Sequence, residues 1–303
     1  MHILNRNAAA WVASHPLQFA LQCLAGFRAN QGLLLAGAVA YYSLLSIVPL
    51  LMLVVVALSH VIDQAELLDT IGHYLEWLVP GQSHAFVTEI GQFLAHRSVI
   101  GWVLAATMLF FSSLAFTVLE NAMSVIFTHR VAIRRRHYLV SAILPYCYIV
   151  SLGIGVLIVT LVAGSLQVIG EHELRFLGHS WSLHGVSGVL LYLLGVSGEV
   201  LMLSSIYLVM PVGRLSCAHA LIGGVTATLL WEIARHVLVW YFATLSQVNV
   251  VYGSLTTAIV VMFSLEIGAT LLLFGAQVIS EFERVGRSEQ DEAPQPMRTD
   301  AAK

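Results

Sequence analysis

The sequence predicts an all-α polytopic membrane protein: a six-transmembrane-helix bundle with amphipathic interfacial helices. Long uncharged runs carry most of this expectation. No Asp, Glu, Lys or Arg occurs in 29–62, 98–119 or 137–170, and three later apolar segments (186–210, 217–242 and 255–280) are broken only by isolated charges. About 20 apolar residues cross a ~30 Å hydrocarbon core as a helix. Composition agrees. Hydrophobic residues make up 58% of the 303 residues and charged residues 10%, with a mean hydropathy of +0.83. Soluble domains carry about 25% charged residues, so an ordinary globular enzyme is excluded as the main body. The third observation is the placement of the bases. Arg6, Arg28, Arg130, Arg134, Arg135, Arg136, Arg214, Arg284, Arg287, Arg298 and Lys303 fall in alternate loops and the termini, against only Arg97 and Arg175 in the others. Positive charge stays cytoplasmic, so both termini are expected inside a bacterial inner membrane.

The elements follow in order. Residues 1–31 form an N-terminal arm in which Trp11, Leu17, Leu21, Leu24 and Phe27 recur at helical spacing, which predicts a helix lying in the inner interface. The transmembrane domain occupies 32–280. Span one, 35–60, contains Pro49, which removes a helical hydrogen bond; Ser43 and Ser46 are placed to satisfy freed carbonyls. The outer loop, 63–97, has two amphipathic sets. Leu67, Leu68, Ile71, Tyr74, Leu75 and Leu78 precede Pro80-Gly81, and Phe86, Val87, Ile90, Phe93 and Leu94 follow it. Span two covers 100–127, span three 139–169, span four 186–210, span five 217–242 and span six 255–280. Residues 281–303 are a polar cytoplasmic tail with Pro294 and Pro296, expected to be disordered. Ala36 and Ala40, and Ala220 and Gly224, have the small-xxx-small spacing of close helix contact. Cys23, Cys147 and Cys217 form no close pair, so they are read as structural. No secretory signal peptide is expected.

Charges within a span are costly and face a cavity or a partner. Glu120 lies toward the end of span two, whereas Glu199, Glu232 and Glu266 fall at similar depth in spans four, five and six. Arg235 and His236 follow Glu232 by three and four residues and share its helix face. Glu232 with Arg235 reads in two ways. One is an intrahelical pair that neutralises itself. The other is a site facing a headgroup-sized cavity, because an Arg fork suits phosphate or carboxylate. Glu199, Glu232, Arg235, His236 and Glu266 are therefore the candidate intramembrane polar site. Arg130, Arg134, Arg135 and Arg136 are candidate contacts for anionic headgroups, although a topogenic role alone explains them. His60, His73, His84, His96, His172, His179 and His184 cluster toward the outer side without HxH or HExxH spacing, so no metal ligand is assigned. No catalytic residue and no cofactor are expected, and no GxxxxGK[ST] loop is present.

Two stretches carry a resemblance. One is AGAVAYYSLLSIVPLLMLVVVAL at 36–58. The other starts LLWEIARHVLVWYFATLS at 229 and continues through VNVVYGSLTTAI to LLLFGAQ, ending at Gln277. Together they resemble the YihY/BrkB family of bacterial inner-membrane proteins. Ser46 and Pro49, with Tyr252 and Gly253, are its most specific, structural elements. Ser124, Glu266 and Gln277 stand where the resemblance leads one to expect an Asn, an aromatic residue and a Glu. The resemblance implies six spans and a role in moving lipid or an envelope precursor. The family has also carried a ribonuclease BN label. A metal-dependent nuclease needs clustered His and carboxylate ligands and a broad basic surface, which this sequence does not offer. The expected function is binding or transport of an amphiphilic anion such as a lipid or envelope precursor. The alternative is a non-transporting scaffold for envelope assembly, and an enzyme comes third. Membrane lipids are the expected partners, with a second copy of the chain as a further candidate and nucleic acid excluded.

Overall fold

The structure, a computed structural model, describes residues 6–78, 83–95, 102–127, a set of positions between 147 and 162, 174–176, 179–181, 184–210, 215–244 and 254–292. Its elements are α1 (Arg6–Ser14), α2 (Pro16–Ala29), α3 (Gly32–Leu58), α4 (Gln64–Leu78), α5 (Ser83–Ala95), α6 (Trp102–Ile126), β1 (Leu174–Phe176), β2 (His179–Trp181), α7 (His184–Val209), α8 (Cys217–Thr244) and α9 (Ser254–Glu292). Among the described residues, five helices are long and apolar enough to cross a membrane: Gly32–Leu58, Ala106–Ile126, Gly188–Val209, Cys217–Leu238 and Val260–Arg287. They coincide with spans one, two, four, five and six. Span three lies largely outside the described residues, and those of its positions that are described are helical. A short antiparallel ribbon pairs Leu174 with Trp181 and Phe176 with His179. Helical periodicity gave no sign of it.

The chain forms two compact units: Met1–Ala38 with Leu119–Lys303, and Val39–Val118. In the first, α8 is packed on one side by α7 and on another by α9. Small residues allow the approach. Ala220 is fully buried, and a Cβ on Gly224 would meet Ser204 Oγ and lie 2.9 Å from the Val200 carbonyl of α7. The Ala220–Gly224 spacing therefore marks packing, as expected. On the other side Gly223 of α8 faces Ile279 of α9, and a side chain at Gly275 of α9 would strike Tyr207 Oη of α7. Tyr207 is fully buried, and its hydroxyl donates to the Leu272 carbonyl at 2.7 Å. That bond satisfies the one polar atom of the side chain.

α1 and α2 pack on the C-terminal part of α9. α2 buries Cys23 and Phe27, whose ring meets Phe274 edge-on, and leaves Leu17, Leu21 and Leu24 exposed on its other side. The junction is polar and paired. Asn30 Nδ2 donates to Gln277 Oε1 at 2.9 Å, Gln277 Nε2 donates to Glu281 Oε1 at 3.0 Å, and Arg284 Nη1 donates to the same oxygen at 3.0 Å. Gln31, at φ 53°, makes the left-handed turn into α3. α9 has 39 residues, about 58 Å at 1.5 Å per residue, so it outruns a hydrocarbon core. This corrects the expectation of a disordered tail from residue 281, because 281–292 are helical. Composition suggested disorder, but Gln277–Phe282 is buried where the arm docks, and that packing carries the helix onward.

The second unit holds the remainder of α3, the α4–α5 pair and the first part of α6. Asp63 caps α4, its Oδ1 accepting from the Ala65 N–H at 2.9 Å. α4 and α5 run antiparallel, with Gly72 against Val87 and Gly91 against Leu68. Leu67 and Leu94 are buried. The two amphipathic helices exist as expected, but part of each apolar face is covered by the other helix. Ser46 does not serve its own helix. Its hydroxyl donates to the Phe111 carbonyl at 2.8 Å and accepts from the Ala115 N–H at 3.2 Å. These are the two groups that an α-helix joins to each other, so the hydroxyl of α3 bridges one step of the α6 ladder while α6 stays helical through it. Beside it lies an open apolar groove of about 470 Å³ lined by Tyr41, Leu44, Leu45, Val48, Pro49 and Phe111.

Candidate functional site: a charged group within the spans

The site is built on α8. Offsets of three and four residues place Glu232, Arg235 and His236 along one helical face. Arg235 Nη2 donates to Glu232 Oε2 at 2.6 Å. The Arg235 side chain is 45% exposed and that of Glu232 14%, so the cation is the open member of the pair. The His236 ring bonds through Nδ1 to the Glu232 carbonyl at 2.6 Å. α7 runs antiparallel to α8, with Ser204 and Val200 opposite Gly224, which brings its earlier residues level with the pair. Glu199 lies within Coulombic reach of both Glu232 and Arg235, and Tyr192 within reach of Arg235. Glu199 Oε2 is buried without a hydrogen-bond partner. Bonded carboxylates are the rule in protein interiors, so this oxygen is the incomplete part of the group.

Glu266 stands apart. Gly268 of α9 lies against Trp231 of α8, so the depth of Glu266 matches that of Glu232. Its carboxylate nevertheless points to α3, with Oε1 4.0 Å from where a Cβ on Gly37 would stand. The structure thus brings Glu199, Glu232 and Arg235 together, hangs His236 on the Glu232 backbone and turns Glu266 away. Arg130, Arg134, Arg135, Arg136, Tyr252 and Gly253 lie outside the described residues. Tyr192 was missed by the sequence reading, although it precedes Glu199 by seven residues on the same side of α7.

The cysteines carry no site. Cys23 is buried, and desolvation, aided by the nearby Glu281 carboxylate, pushes its thiol up to about 12. Cys147 and Cys217 are free and exposed. Among the described residues no His, Cys, Asp and Glu cluster could hold a metal.

Apolar spanning helices that hold a paired Arg and Glu with an unbonded Glu beside them define a polytopic helical membrane protein with a charged group inside its spans. The chain belongs to the BrkB family: the family model described as Virulence factor BrkB matches residues 23–300. It is similar to a UPF0761 membrane protein of Alkalilimnicola ehrlichii, 26% identical over 272 residues, which are 86% of this chain and 57% of that one. A UPF0761 membrane protein of Photobacterium profundum is 25% identical over 244 residues, covering 80% of this chain and 74% of its own. One from Tolumonas auensis is 28% identical over 253 residues, covering 80% and 78%. The chain therefore spans little more than half the length of the Alkalilimnicola relative. No solved structure matches.

Proposed function

We propose that the protein resides in a bacterial inner membrane with both termini cytoplasmic, and that it binds and moves an amphiphilic anion such as a lipid or envelope precursor. The observation that carries the reading is the open Arg235 guanidinium. It uses one nitrogen on Glu232 and keeps other N–H donors available. Ile233, Val237 and Trp240, at offsets of four and three, are exposed on the same helix. An anionic headgroup can take the guanidinium on the face that Arg235 occupies, while this apolar row, about half a turn of the helix away, meets the surrounding lipid tails. Arg130, Arg134, Arg135 and Arg136 would gather anionic headgroups at the cytoplasmic face. The orientation rests on the arginine bias. Reporter fusions after Lys303 and within 63–97 should report opposite sides, and agreement between them would end it.

The lipid reading is tested in proteoliposomes by the movement of a dye-labelled anionic phospholipid between leaflets. The parent protein should accelerate it, and a folded E232Q/R235Q variant should fall at least tenfold toward the protein-free rate. A variant equal to the parent would remove the site from the mechanism. It would favour the second reading, a scaffold for envelope assembly, which draws support from the short Glu232–Arg235 bond as a pair that neutralises itself.

A further inference from the structure

The charged group within the spans has an unequal count: two carboxylates, Glu199 and Glu232, share one guanidinium. From α7 the groups that face it are Tyr192 and Glu199, and α8 itself supplies Glu232, Arg235 and His236. α9, the other helix packed on α8, brings Glu266 to this level but directs it at Gly37. An anion that takes the free N–H donors of Arg235 draws on the charge that now answers Glu232, bonded to it at 2.6 Å. Glu232 then shares that cation with the anion and with Glu199, whose Oε2 is already buried without a partner.

Whatever charge the group carries at rest, the bound anion adds one negative charge to a place where water is scarce. Uncompensated charge at such depth is costly. The compensation is local: a proton taken up by the carboxylate pair cancels the charge the anion adds. Glu199 Oε2 offers the unfilled valence at which that proton is held. We infer that the site binds its anion together with a proton, the Glu199 and Glu232 carboxylates taking up one proton from water for each negative charge placed on Arg235. The proton-linked step follows the geometry and names an energy source, a proton gradient, for the proposed movement of an amphiphilic anion. It rests on that reading of Arg235 as the anion's seat.

Purified full-length protein in neutral detergent and weak buffer is titrated with a short-chain phosphatidylglycerol. Binding is followed by tryptophan fluorescence and proton uptake by a pH-indicating dye. The parent should take up about one proton per lipid bound, and its affinity should fall about tenfold per pH unit as pH rises, the slope that one linked proton requires. An E199Q/E232Q variant, which keeps Arg235, should bind with no uptake and no pH dependence. An H236Q variant, which removes the other titratable side chain on this face, separates uptake by the carboxylates from uptake at the imidazole. Lipid binding to the parent with no proton uptake would overturn the linkage and leave the anion site standing. Uptake transferred to His236 would likewise overturn it. Failure of the parent to bind the lipid would remove the anion site and this inference with it. If the double variant does not fold, the proton count of the parent still decides.

Discussion

Two polar groups sit in the same unit and could hardly be more different. At the C-terminal part of α9, Asn30, Gln277, Glu281 and Arg284 form a continuous chain of hydrogen bonds, and Glu281 is only 6% exposed. In the span region, Arg235 is open and one oxygen of Glu199 is buried with no partner. The first group joins α2 to α9 across 247 residues of sequence. The second joins few residues and leaves valences unfilled. A satisfied buried network fixes one arrangement of its helices, whereas a partly satisfied one leaves room for something else to complete it. The contrast separates a fastening from a site by counting bonds, with no appeal to residue type.

The largest expected effect concerns the fastening. With its thiol pushed up to about 12 by burial and by Glu281, Cys23 should carry roughly a thousandfold less thiolate near neutral pH than an unshifted thiol. In single-cysteine variants, maleimide should therefore modify Cys23 at least a hundredfold more slowly than Cys217. Equal rates would mean that the arm is not packed on α9, and the comparison would break. Next in size is Glu281→Ala, which leaves the buried Gln277 amide without its acceptor. It should cost about 2 kcal/mol in thermal or denaturant unfolding in detergent. The Arg284 bond adds little to this because that side chain is 61% exposed. The smallest effect should come from the other group. Replacing both Glu232 and Arg235 with Gln should leave stability within about 1 kcal/mol of the parent, because both charges leave together. A loss as large as that of Glu281→Ala would show that the span group is a fastening as well.

Sequence periodicity recovered what periodicity can encode. Long uncharged runs located α3 and α6, apolar segments broken only by isolated charges located α7, α8 and α9, and the apolar faces of 63–97 located α4 and α5. A period names a face but not its partner. That α4 and α5 cover each other through Gly72 and Val87 was not legible for this reason. Depth was legible and direction was not: Glu266 lies level with Glu232, yet its carboxylate faces Gly37. Ser46 shows the same limit. Its closeness to Pro49 in sequence suggested a local bond, while the bond that forms is with Phe111 and Ala115 of another helix. The Asn30–Gln277–Glu281 chain was missed because its two ends are far apart in sequence. The i, i+4 pair of Gln277 and Glu281 at the end of a span was the signal present. The helix over 281–292 escaped because polar composition describes a segment alone, not one held by a docked arm.

The position of Ser46 has a consequence for how α3 and α6 part. An ordinary interhelical hydrogen bond, once broken in a bilayer, strands a donor and an acceptor in hydrocarbon. Here the two backbone groups that Ser46 holds lie one helical turn apart on α6 and are each other's natural partners. When the hydroxyl withdraws, Ala115 N–H and Phe111 C=O still have each other, and only the serine is left to satisfy. Neither backbone group is stranded, so separating the helices costs far less than the two bonds suggest. Ser46→Ala is then expected to loosen the pair without unwinding α6, with the Ala115 amide staying protected from hydrogen exchange.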